Sequence, residues 1–150
     1  MRVVLQRVSY AKVTINGERE EKIGKGILVL LGIEDIDTVD DIEWLCGKIA
    51  RIRIFPDQDC IMNLDVNQID GDVLVVSQFT LFASTKKGNR PSYIRASKPD
   101  VAKPIYESFL NEIKKHIHGN VKSGEFGADM QVELNNDGPV TILFDTKNKE

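Results

Sequence analysis

The stretch from Asp70 to Ala83 narrows the choice of fold most. Asp70-Gly71-Asp72 reads as a turn, and Val73-Leu74-Val75-Val76 follows it as a dense, largely β-branched run. A run this short, bounded by turn residues, predicts a strand buried on both faces. The same strand is expected to continue through Ser77-Gln78-Phe79-Thr80-Leu81, which puts three hydrogen-bonding side chains in an apolar setting. Each buried polar group left unpaired costs about 1–3 kcal/mol, so Ser77, Gln78 and Thr80 need neighbouring strands or a ligand as partners. Alternation along a strand predicts Gln78 and Thr80 on one face, with Ser77 and Phe79 on the other.

A second doubly buried strand is expected at Ile27-Leu28-Val29-Leu30-Leu31, after the punctuating Gly24 and Gly26. Ahead of it, Met1 to Val8 and Ala11 to Ile15 read as two valine-rich strands. Asn16-Gly17 is a strong hairpin signal because both positions tolerate φ > 0. The charged return strand, Glu18 to Ile23, suits an exposed edge.

Two helices are expected. Thr38 is a fitting N-cap for the first, with Asp40, Asp41 and Glu43 complementing its dipole and Ile42, Leu45, Cys46, Ile49 and Ile52 forming an apolar stripe. Trp44 lies off that stripe, as a partly buried indole or a partner surface. Pro99-Asp100 opens the second helix, with Val101, Ile105, Phe109, Ile113 and Ile117 as its stripe. His116 and His118 fall at its end, where solvated histidines are usual.

Short strands are expected at 61–64, 121–124 and 130–134, with a closing strand at 142–145. Asn136-Asp137-Gly138-Pro139 between the last two reads as a tight hairpin turn. Residues 146–150 read as a disordered polar tail. Many strands and two helices in 150 residues predict one α+β domain.

Charge is uneven. The net value is −3, which disfavours a protein that coats nucleic acid generally. Glu34 to Glu43 holds six acids and no base, whereas Ser84 to Lys103 holds six bases and one acid. Lys86, Lys87, Arg90 and Arg95 in that segment could hold a few phosphates or belong to a solvated loop. Cys46 and Cys60 lack metal-ligand spacing and suit reduced thiols of a cytoplasmic protein. No apolar run is long enough for a membrane span.

Phosphate-binding, dinucleotide and zinc-helix motifs are absent, and two histidines offer no obvious Ser-His-Asp triad. An enzyme of this sequence would work by positioning and backbone donors, with no metal or cofactor expected.

Ser77-Gln78-Phe79-Thr80-Leu81 and Asn136-Asp137-Gly138-Pro139-Val140-Thr141 together resemble the two signature motifs of the bacterial and eukaryotic D-aminoacyl-tRNA deacylases. Met1 to Val8, Lys87 to Ser92 and Phe126-Gly127-Ala128-Asp129-Met130 are similar too, so the resemblance spans the chain. It implies mostly antiparallel sheets or a partial barrel with two helices, in a homodimer with sites at the subunit interface. It implies hydrolysis of the ester between a D-amino acid, or glycine, and the tRNA 3′ end. Gly138-Pro139 would be cis, enter the partner's pocket, bind the α-ammonium through its carbonyls and exclude an L side chain. Ser77, Gln78, Phe79 and Thr80 would line the pocket, with backbone N–H groups near Phe79 and Thr80 as the oxyanion site. Asn136, Thr141, Met130, Phe126 and Arg7 would complete substrate binding, and the basic segment would meet the acceptor end. The family offers two nucleophile schemes, Thr80 itself or water activated by the terminal 2′-OH. The second is favoured here because no base stands ready to deprotonate Thr80.

Overall fold

The two apolar runs lie side by side at the centre of one sheet. In the computed structural model, which describes residues 1–149, β3 (Gly26–Gly32) and β6 (Asp72–Ser77) pair in parallel from Gly26–Asp72 to Leu31–Ser77. The approach is close at Gly26, where any Cβ would stand 1.9 Å from the Asp72 carbonyl oxygen. Both strands feed two cores by alternation. Ile27, Val29, Leu31, Val73 and Val75 face one, and Leu28, Leu74 and Val76 face the other. Burial on both faces is what the uninterrupted apolar runs require.

The remaining strands wrap this pair. β1 (Arg2–Ile15) meets β3 along residues 2–8 and β2 (Arg19–Ile23) along residues 11–15. Its other edge pairs with β8 (Met130–Asp145) over nearly its whole length, and β7 (Val121–Ser123) extends the sheet beyond β6. β4 (Phe55–Pro56) and β5 (Met62–Leu64) form a separate small hairpin. The sheet curls until β2 approaches β7, where Lys122 bonds Glu21 at 3.3 Å. The result is one α+β domain with a mixed, nearly closed sheet. α1 (Val39–Arg51) and α2 (Pro99–His116) cover the first core through Leu45, Ile49, Phe109 and Ile113.

Several local expectations change. The N-terminal pair of strands is one strand, bulged between Gln6 and Val8 and between Val8 and Tyr10. The second irregularity reverses the alternation, so Val3 and Leu5 face the first core while Ala11, Val13 and Ile15 face the second. The strand expected through Thr80 stops at Ser77, because β3 offers no partner past Leu31; the chain turns into a 3-10 helix at Phe79–Phe82. The stripe on α2 uses Ala102, Tyr106, Phe109 and Ile113, leaving Val101 exposed. Spacing by fours drifts about 40° per step on a helix, so Val101 and Ile117 cannot share a face.

The Asn16-Gly17 turn has φ of 52° and 71°, as the hairpin signal requires. Thr38 caps α1, donating from N and Oγ1 to the Asp41 carboxylate at 2.8 and 3.0 Å. Trp44 is half-buried, edge-on to Phe144 and beneath Lys48 and Lys149. The tail expected to be disordered packs on the domain as far as Lys149. Thr146 is buried and accepts from the N-terminal ammonium at 2.7 Å, and Lys147 reaches Asp41 at 2.7 Å; Glu150 lies outside the described residues. Cys46 is buried and Cys60 exposed, both as free thiols.

Candidate functional site

Where β6 leaves the sheet, its carboxyl end opens into a pocket of about 520 Å³. Ser77, Gln78 and Phe79 form one wall, and Phe126 and Met130 form another. Ligands commonly sit at the carboxyl ends of parallel strands, where the chain departs from the ladder and its polar groups are free to turn outward. Alternation ends with the strand, so Ser77, Gln78 and Phe79 all face the cavity. Thr80 does not line it. Its Oγ1 accepts a hydrogen bond from the Gln78 amide at 2.5 Å, although Thr80 lies in the 3-10 helix and not on the expected strand.

Backbone donors at this corner are unevenly used. The N–H of Gln78 is bonded to Leu31 O at 2.7 Å, that of Leu81 to Gln78 O, and that of Ala83 to Thr80 O. Phe79 and Thr80 open the 3-10 helix, where a helix start leaves N–H groups without an intrahelical acceptor. Phe79 and Tyr93 are both exposed and meet edge-on at 5.0 Å on the pocket rim.

The second motif lies elsewhere on the chain. The expected hairpin at 136–139 is absent: residues 130–145 form the single strand β8. Gln6 pairs with Thr141 and Val8 with Asn136, so residues 137–140 face Arg7 alone and bow out as an exposed tip. The Gly138-Pro139 peptide is cis, and Gly138 has φ of +127°. Side chains pin the tip at its base. Asn136 accepts from the Val140 N–H and donates to Thr141 Oγ1, both at 2.9 Å. The buried Arg7 donates from Nε to Asp137 O at 2.9 Å and from Nη1 to Ile54 O at 2.6 Å. Arg7, Asn136 and Thr141 therefore support the tip and are not part of the pocket wall.

Gly138 lies six positions along the chain from Val132, which lines the pocket, a span of about 20 Å at the usual strand rise. One chain thus holds the two motifs apart. The basic loop is closed by paired hydrogen bonds between Ser84 and Ser92 and leaves Lys86, Lys87 and Arg90 exposed. Arg95 is differently placed from these three: it bonds Glu34 at 3.1 Å and stands over the Phe82 ring. Tyr93, Ala96, Ser97 and Pro99 also line the pocket. No motif marked them; only the nearness of Tyr93 to the turn-rich loop hinted at a rim. Among the described residues, no three His, Cys, Asp or Glu side chains gather closely enough to hold a metal ion.

A curled mixed sheet with a pocket at the end of its parallel pair, neutral polar groups on the wall and free backbone donors at one corner defines a class. It is an α+β protein whose pocket wall carries neutral polar and aromatic side chains. Comparison with known proteins narrows the class. The model of the family described as D-Tyr-tRNA(Tyr) deacylase matches residues 4–145. Relatives named D-aminoacyl-tRNA deacylase are 59% identical in Flavobacterium johnsoniae and 58% in Bacteroides fragilis, over the whole of both chains. Among solved structures, the c-Myc DNA Unwinding Element Binding Protein superposes with a TM-score of 0.90 at 41% identity, over 97% of this chain and 98% of its own. A probable eukaryotic D-amino acid tRNA deacylase shares the fold at a TM-score of 0.81 and 20% identity, over 95% and 97% of the two chains. The chain belongs to the D-Tyr-tRNA(Tyr) deacylase family.

Proposed function

We propose that this chain hydrolyses the ester joining a D-amino acid, or glycine, to the 3′ end of tRNA and leaves L-aminoacyl-tRNA intact. The single observation that supports this most is the distance along β8 between Val132 in the pocket wall and the pinned Gly138-Pro139 tip near the middle of the strand. The tip serves the pocket of a second copy, so the working unit is a homodimer with sites at the interface. Leu143, 77% exposed on the same strand as the tip, supplies apolar surface for that contact.

Within the site, the Gly138 and Pro139 carbonyls accept from the substrate α-ammonium. A tip held by Arg7 and Asn136 cannot recede to admit an L side chain, whereas a pocket that merely prefers one shape discriminates by only about 10–200-fold. The Phe79 and Thr80 N–H groups hold the ester oxygen as it becomes an oxyanion. Gln78 occupies the Thr80 hydroxyl, so attack falls to water activated by the terminal ribose 2′-OH. Lys86, Lys87 and Arg90 meet acceptor-end phosphates, with Arg95 beside them. The reaction takes place in the cytoplasm, where charged tRNA is used.

The name of the 41% identical structural neighbour speaks of binding a DNA element, and the second reading is a nucleic-acid-binding dimer without catalysis. Mixed dimers separate the two readings. Gly138→Ala places a Cβ 2.7 Å from Arg7 Nη2 at a φ of +127°, which damages the tip, and Gln78→Ala damages the pocket. Each variant alone is expected to be inactive. In one-to-one co-expression half the dimers are mixed, each with one intact site, so about a quarter of wild-type activity returns. Absence of any recovery in verified mixed dimers would refute a site shared between subunits.

A further inference from the structure

The Arg7 guanidinium is buried, with Arg7 only 8% exposed, and its two closest acceptors are the neutral carbonyls of Asp137 and Ile54. A buried cation needs a counter-charge. Among the described residues the one ion pair recorded for Arg7 is with Asp137, whose Oδ2 lies 3.4 Å from Nε. This carboxylate is 45% exposed and immediately precedes Gly138. The guanidinium edge lies against the same tip, since a Cβ on Gly138 would stand 2.7 Å from Nη2. A positive charge therefore sits beside the tip whose carbonyls are assigned to an incoming ammonium, and like charges at short range repel appreciably.

We propose that Asp137 is an electrostatic positioning residue for substrate recognition: it neutralises Arg7 so that the Gly138-Pro139 tip can accept a cationic group. The inference rests on the reading of that tip as the ammonium site. Arg7 supplies rigidity through its bonds to two backbone oxygens. Asp137 makes the resulting surface receptive to an α-ammonium. Its role is thus specific to the charge of the ligand, which a purely structural role is not.

The test uses two non-hydrolysable ligands on the intact wild-type protein and on Asp137→Asn. Both are adenosines carrying a D-tyrosine-like acyl group through a 3′-amide, one with an α-ammonium and one with an α-hydroxyl. Asp137→Asn is expected to raise Kd for the ammonium ligand about tenfold and to change that for the hydroxyl ligand by less than about twofold. Asp137→Glu should recover most of the loss, and an unchanged Tm in both variants verifies folding. Equal weakening of both ligands, or no weakening of either, overturns the proposal. If the wild type itself binds the two ligands equally, the tip is not the ammonium site and both readings fall.

Discussion

At the scale of single residues, Thr80 is proposed to belong to a site motif without doing its chemistry. Its hydroxyl accepts from the Gln78 amide and does not line the pocket, and among the described residues no recorded hydrogen bond runs from it to a base. Thr80→Ala is expected to keep kcat within about threefold of wild type, as loss of a supporting contact would. Single-turnover kinetics with D-aminoacyl-tRNA would measure it. Loss of turnover together with a covalent acyl-enzyme trapped on the wild-type Thr80 would contradict this assignment. Which residues to consider as a candidate site was legible in the sequence; how they are arranged was less so. Ser77 and Gln78 stood out as polar types after an apolar run and Phe79 came with the motif, but their common orientation depends on where β3 stops offering partners. That is a property of the neighbouring strand, which local alternation cannot report.

At the scale of elements, β8 and α1 behave oppositely. The turn composition of Asn136 to Pro139 suggested a break, yet pairing with β1 carries the strand through it, and the surplus residues bow outward opposite Arg7. Long-range pairing overrode local turn chemistry. The start of α1, by contrast, followed its local signal. Asp41 there accepts from Thr38 and from Lys147 at 2.7 Å. Burial alone would push its carboxyl up, but the hydrogen bonds from Lys147 and Thr38 outweigh that and hold it well below the usual carboxylate range. A depressed folded-state value means stability that is present above the unfolded pKa and lost as pH falls. Asp41→Asn is therefore expected to cost about 1–2 kcal/mol at pH 7, and the difference from wild type should shrink below about pH 4. Denaturant unfolding at a series of pH values checks this. A cost that stays constant down to pH 3 would show that the charge is not what matters.

At the scale of the whole molecule, the α+β class and both buried strands followed from apolar run length and turn signals alone. The curl of the sheet did not, because it depends on β2 meeting β7 across about a hundred residues of sequence, through contacts such as Glu21 with Lys122. The unbroken course of β8 through Asn136 to Pro139 was equally hidden, since the turn composition there pointed to a hairpin. On the reading proposed above, chirality is a property of two chains: one supplies the pocket and the other the pinned tip that bars an L side chain. The most direct test is release of D-tyrosine and L-tyrosine from their charged tRNAs by the purified protein. Rapid release of D-tyrosine with L-tyrosyl-tRNA left intact is the predicted result. Equal release of both would mean a pocket that does not sense chirality, and release of neither with tRNA still bound would mean a nucleic-acid-binding protein without this catalysis.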